Sequence, residues 1–208
     1  MKKILIYGDS NVWGDNFITG IRIPDDKQWV NILQEKVKDN YKLLQEGLPG
    51  RLAGSDEIEK VYKNGKDTFI STFRTNAPVD KLIIALGTND LQFKYNKTGE
   101  DIINDLLWYK EVLEQMVEDE DDKKKYFVNN ELPEIIYILP SNFDYKENAS
   151  VIFDEEKENE RQNIIKYFVD NNIKNIYFND IDLFEDGIHF NYEGHKKMAD
   201  RVFGELYE

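Results

Sequence analysis

The chain has 208 residues, 40% of them hydrophobic, with 12 Phe, 12 Tyr and 3 Trp. That is enough apolar material for one folded unit, since domains usually run to roughly 100 to 200 residues. A formal net charge of −14, from 41 acidic against 27 basic side chains, speaks against nucleic acid and anionic membranes as partners. The absence of cysteine excludes disulfides, thiolate nucleophiles and sulfur-ligated zinc, and His189 and His195 are too few for a centre built on several imidazoles, so neither metal nor cofactor is expected.

Met1-Lys2-Lys3 runs into four apolar residues, Ile4 to Tyr7, before Gly8. A signal peptide needs an apolar core of roughly 7 to 15 residues and a membrane span ~20, so membrane insertion is not expected and the expected location is cytoplasmic. Lys3 to Tyr7 reads as a buried strand stopped by the turn Gly8-Asp9-Ser10. Asp26 to Lys38, with Trp29, Ile32, Leu33 and Val37 at helical spacing, predicts an amphipathic helix. A strand over Tyr41 to Gln45, a Gly- and Pro-rich loop over Gly47 to Gly54 and helical pattern up to about Asn76 come next.

Lys81 to Leu86 is the clearest strand, closed by Gly87-Thr88-Asn89-Asp90, and Ile102 to Val117 reads as a long helix. Glu118 to Lys125 reads as a solvated helix end. Glu134 to Leu139 is a strand stopped by Pro140, Asp154 to Asp170 a helix, Asn175 to Phe178 a short strand and Tyr192 to Leu206 a closing helix. Five strands alternating with helices predict an α/β fold with a parallel sheet covered on both faces. Residues 141 to 160 begin at a strand's carboxyl end, where open sheets place their ligands, and are read as a surface loop or a lid.

In such a sheet Ser10, Gly47 and Asn89 stand at one edge. A serine is a poor nucleophile without a base, and Asp186-Gly187-Ile188-His189 offers one, with a carboxylate three residues ahead to hold the imidazole in one tautomer. The set Ser, Gly, Asn and Asp-x-x-His in this order resembles the SGNH hydrolases, or GDSL-type esterases, and nearest their bacterial arylesterase and acyltransferase branch, over Gly8 to His189. The resemblance implies a three-layer α/β/α, flavodoxin-like five-stranded parallel sheet of order 2-1-3-4-5. It implies Ser10 as nucleophile, Asp186 and His189 as its partners, and an oxyanion hole from Ser10 N–H, Gly47 N–H and the Asn89 amide.

Two departures bear on substrate preference: Asn11 replaces the leucine that gives the family its name, and Leu52-Ala53 stands where that branch often has two threonines. Asn11, Trp13 and Arg51 are candidate substrate-pocket residues, although Arg51 also suits a loop-ordering role and Trp13 and Phe17 core packing. Asp9 and Asp15 read as acids at a helix start, Asp90 as a helix cap, Gly47 as a turn glycine of positive φ, and His195 is assigned no role. The expected activity is hydrolysis of a small-molecule ester of short acyl chain, with acyl transfer to alcohols as a side reaction and carbohydrate O-acetylesterase activity as the rival. A non-catalytic binding protein on the same scaffold is the alternative of another class. Assembly into a homo-oligomer is left open. A dinucleotide-binding turn would need Gly-x-Gly-x-x-Gly after the first strand, which Gly8-Asp9-Ser10 does not supply.

Overall fold

The first strand sets the architecture. In β1 (Lys2–Gly8) the consecutive side chains Ile4, Leu5, Ile6 and Tyr7 are all fully buried, which happens only where both faces of a strand are covered. They divide by parity: Leu5 and Tyr7 join one apolar core, Ile4 and Ile6 another. The computed structural model, which describes residues 1–207, shows why.

Five parallel strands form the sheet: β1, β4 (Tyr41–Gly47), β5 (Lys81–Ala85), β6 (Glu134–Ile138) and the short β7 (Asn175–Ile176). Helices α3 (Gly65–Asn76), α4 (Gly99–Glu118) and α6 (Glu155–Asp170) supply Phe69, Leu106 and Phe168 to the core on one face. Helices α2 (Trp29–Val37) and α7 (Tyr192–Tyr207) supply Leu33 and Val202 to the other. This is the expected three-layer α/β/α class.

The strand order reads 4-1-5-6-7 rather than 2-1-3-4-5. The difference is a separate antiparallel ribbon, β2 (Asp15–Asn16) with β3 (Ile21–Arg22), inserted before α2. Leaving it out, the five sheet strands keep the expected sequence. Two-residue strands carry no alternation to read, so the ribbon is invisible to hydrophobic pattern.

Element ends reflect local chemistry. Helix α4 starts three residues before its expected position because Thr98 and Asp101 form a reciprocal capping box. Glu118 to Lys125 is solvated as expected but is not simply the end of α4: it spans into a separate helix, α5 (Glu120–Tyr126), whose cap Asp119 accepts the N–H groups of Asp121 and Asp122. Residues 141 to 154 are no free loop. Phe143 stacks on Phe153 with ring centroids 4.2 Å apart, and Ala149 is buried with them.

The register aligns the strand ends that matter: Gly8 pairs with Gly47 and with Ala85, and Ala85 with Ile138. The segments leaving β1, β4 and β5 therefore emerge along one edge of the sheet.

Candidate active site

Ser10 opens α1 (Ser10–Trp13), a single helical turn. Asp9 caps it, accepting Asn11 N–H at 2.9 Å, and Gly14 closes it in the left-handed conformation. Across the edge, the loop between β7 and α7 brings His189 to Ser10, with Nε2 at 3.0 Å from Oγ. The Nδ1 of His189 is hydrogen-bonded to Oδ2 of Asp186. The other carboxylate oxygen of Asp186 accepts the N–H groups of Ile188 and His189, each at 3.1 Å. A carboxylate can only accept, so Nδ1 carries the proton and Nε2 presents its lone pair to Ser10.

The loop is stiffened from both sides. Phe184 N–H donates to the His189 carbonyl at 2.7 Å, and Asp144 N–H donates to that of Gly187 at 2.9 Å. Gly187 is required there, since its φ is +70° and a Cβ would stand 2.6 Å from the Cβ of Asp144. The segment considered as a lid is thus clasped to this loop.

Burial pulls the His189 pKa down, but the hydrogen bond and charge of Asp186, with Asp15 and Asp9 behind them, outweigh it and leave it raised above the ordinary 6.5. Asp186 is pushed up by burial, yet His189 and the two N–H groups hold it below its usual value. Protonated His189 cannot act as a base, so the acid limb of kcat/KM is expected to lie above pH 6.5. Asp15→Asn, which removes one of the charges that raise it, is expected to move that limb to lower pH. A pH–rate profile of both proteins checks this.

Asn89 lies beyond the end of β5. Its Nδ2 donates to the Arg51 carbonyl at 3.1 Å and its Oδ1 accepts Gln92 Nε2 at 3.0 Å, which fixes the amide orientation. Gly47 does not have positive φ. It is glycine because α1 crosses it, and a Cβ would meet Trp13 N at 2.3 Å. Asp90 caps no helix. Fully buried, it accepts Ala53 N–H at 2.7 Å and Gly54 N–H at 3.2 Å and pairs with Lys97, tying down the loop after β4.

Arg51 lies beneath that loop rather than in a pocket. It is buried, stacks 4.1 Å over the Tyr7 ring and donates to the Gly8 carbonyl at 2.9 Å, so its partners are main-chain oxygens and not an acid. Trp13 is half-buried beside Arg22, which donates to its carbonyl at 2.6 Å. Phe17 is exposed on the β2–β3 ribbon, outside both cores, and Asp15 belongs to the same ribbon rather than to a helix start. Asn11 turns its side-chain oxygen to Phe190 N–H, which it accepts at 2.9 Å.

Sequence reading gave Asp9 too little weight. It is 4% exposed, and burial raises its pKa to about 6, offset in part by Asn11 N–H, His189 and Arg51. His195, to which the sequence assigns no role, is buried in α7 with Nδ1 accepting Trp29 N–H at 3.3 Å. Among the described residues no group of three or more His, Asp or Glu is placed to hold a metal ion, and no helix is long and apolar enough to cross a membrane.

A doubly covered parallel sheet with a serine, a histidine and an aspartate hydrogen-bonded in series at its carboxyl edge has the groups that acyl transfer through a serine requires. The chain belongs to the GDSL-like lipase/acylhydrolase family, whose model matches residues 4–202, and is thereby a carboxylic ester hydrolase. Its fold is similar to that of a carbohydrate acetylesterase family member from Sinorhizobium meliloti, with TM-score 0.80 and 21% identity over 99% of this chain and 97% of that one. It is equally similar to the aryl esterase of M. smegmatis, with TM-score 0.80 and 20% identity over 100% of this chain and 99% of that one. No curated protein matches the sequence.

Proposed function

We propose that the chain hydrolyses short-chain carboxylic esters by acyl transfer through Ser10. The observation that carries this reading is the continuous hydrogen-bonded series from Ser10 Oγ through His189 to Asp186, with the 3.0 Å Oγ–Nε2 contact at its head. Ser10 Oγ attacks the ester carbon while Nε2 takes its proton. The tetrahedral oxyanion rests on the main-chain N–H of Ser10, that of Gly47 and the Asn89 amide, and protonated His189 gives its proton to the departing alkoxide. Water then attacks the acyl-enzyme, gives a proton to His189, and Ser10 Oγ recovers it as the acid leaves. Where an alcohol takes the place of water, the same intermediate yields a new ester.

A short acyl group is supported by how little space is left beside the residues that flank Ser10. The cavity lined by Asp9 and Asn11, the neighbours of Ser10 in the chain, with Thr88 and Ser141, measures about 20 Å³, room for about one water and not for a long acyl chain. The alcohol side is where the two similar structures differ, one described as an aryl esterase and the other as a carbohydrate acetylesterase family member.

Rates on p-nitrophenyl acetate, butyrate and octanoate, with a peracetylated sugar alongside, test the reading. Acetate is expected to be fastest and octanoate slowest by at least roughly tenfold, since a missing pocket forfeits 1–3 kcal/mol or more. Preference for the sugar would move the assignment to a carbohydrate O-acetylesterase. No turnover on any ester would leave a binding role.

A further inference from the structure

We propose that Asn11 is a positioning residue for the base, holding His189 at the reaction centre during the half of the cycle in which Ser10 cannot. The proposal rests on the acyl-transfer reading above and extends it. Among the described residues two hydrogen bonds join the α1 turn to the loop that carries His189. One is Ser10 Oγ with His189 Nε2 at 3.0 Å, and the other, one residue further along both segments, is Phe190 N–H to Asn11 Oδ1 at 2.9 Å.

The first cannot persist through turnover. Once Oγ is acylated it has no proton to donate, and Nε2 must turn to the incoming water. The bond to Asp186 does not substitute for it, because Asp186 and His189 sit on the same loop; it orients the ring within the loop but ties the loop to nothing on α1. The Asn11–Phe190 bond spans the two segments and involves no reacting atom.

The backbone of Asn11 is itself held at two points. Its N–H is bound by Asp9, and its carbonyl accepts Trp29 Nε1–H at 3.0 Å. Trp29 N–H in turn donates to Nδ1 of His195, whose ring meets Phe190 edge-on with centroids 5.7 Å apart. The contacts therefore close a ring from Asn11 through Trp29 and His195 back to the residue Asn11 holds. Burial drops the His195 pKa to about 3, so its Nδ1 stays a neutral acceptor throughout the working range. Leucine, the residue the family is named for at this position, has no acceptor to offer.

The consequence is kinetic: loss of Asn11 should harm deacylation more than acylation. Asn11→Leu is close in volume, and Asn11→Asp keeps an acceptor oxygen. In stopped-flow hydrolysis of p-nitrophenyl acetate, Asn11→Leu is expected to show a burst of nitrophenol approaching one equivalent per site. A steady rate lower by roughly 10- to 100-fold should come after it, the scale of a displacement of about 1 Å at a catalytic group. KM should fall along with kcat, leaving kcat/KM within about threefold of the parent.

Asn11→Asp should restore deacylation. Amide exchange at Phe190, read by NMR, should be slow in the parent and in Asn11→Asp and faster in Asn11→Leu, with Tm monitored in parallel. An equal fall in kcat and kcat/KM without a burst, a change in KM alone, or unchanged Phe190 exchange would each overturn the proposal. Absence of ester turnover by the parent protein would instead remove the esterase reading, and the positioning role with it.

Discussion

Ser10→Ala is expected to lower kcat on p-nitrophenyl acetate by roughly 10⁴- to 10⁶-fold, leaving only the rate that binding and oxyanion donors supply without a covalent step. The size of the effect reflects what Ser10 alone provides. Its Oγ is the atom 3.0 Å from Nε2, and no other hydroxyl or thiol hydrogen-bonds either nitrogen of His189 among the described residues. Stability should barely change, because the hydroxyl's hydrogen bond is to His189 and the cap of α1 is made by Asp9. A serine-directed phosphonate gives a second reading: it should label the parent stoichiometrically and the variant not at all. Equal rates in parent and variant would show that Ser10 is no nucleophile.

Asp186→Asn is expected to cost roughly 10⁴-fold in kcat with little loss of structure. The direction comes from the second carboxylate oxygen, which accepts Ile188 N–H and His189 N–H. An asparagine must place its carbonyl there, since its NH₂ cannot accept. The NH₂ then faces His189 Nδ1, which has to become the acceptor and lose its proton. The remaining proton moves to Nε2 and points at Ser10 Oγ, so the imidazole offers the nucleophile a donor where it needs a base. The effect should be visible in kcat and kcat/KM together, and NMR of the ring nitrogens should report the exchanged tautomer. A loss smaller than about tenfold would mean that Asp186 does not set the tautomer.

The groups assembled at this edge were legible in the sequence because each sits at a place with a strong local signal. Gly8, Gly87 and the strand runs before them mark strand ends, and a parallel sheet brings such ends together whatever lies between them. Asp186 and His189 are three residues apart on one loop, so no long-range guess is needed to pair them. What escaped reading were contacts with no periodicity behind them. Asn11 to Phe190 and His195 to Trp29 join segments more than 160 residues apart through single atoms. Arg51 could be read as a pocket cation beside its loop-ordering role, because nothing local reveals that main-chain carbonyls await its guanidinium. Gly47 reads as a turn glycine of positive φ, but the crossing of α1, not backbone sign, excludes a Cβ there. The β2–β3 ribbon was missed because strands of two residues leave no pattern.

The position of β1 has a consequence for synthesis. Of the five sheet strands it is made first, yet it lies inside the sheet, paired on one side with β4 and on the other with β5. A ribosome adds roughly 5 to 20 residues per second, so Ile4 to Tyr7 wait several seconds after emergence for their second neighbour. During that interval the strand leading to Ser10 is an unpaired apolar template, the kind of segment on which nascent chains aggregate. The segment that places the nucleophile is therefore the sheet strand that waits longest for both of its neighbours while the rest of the chain is made.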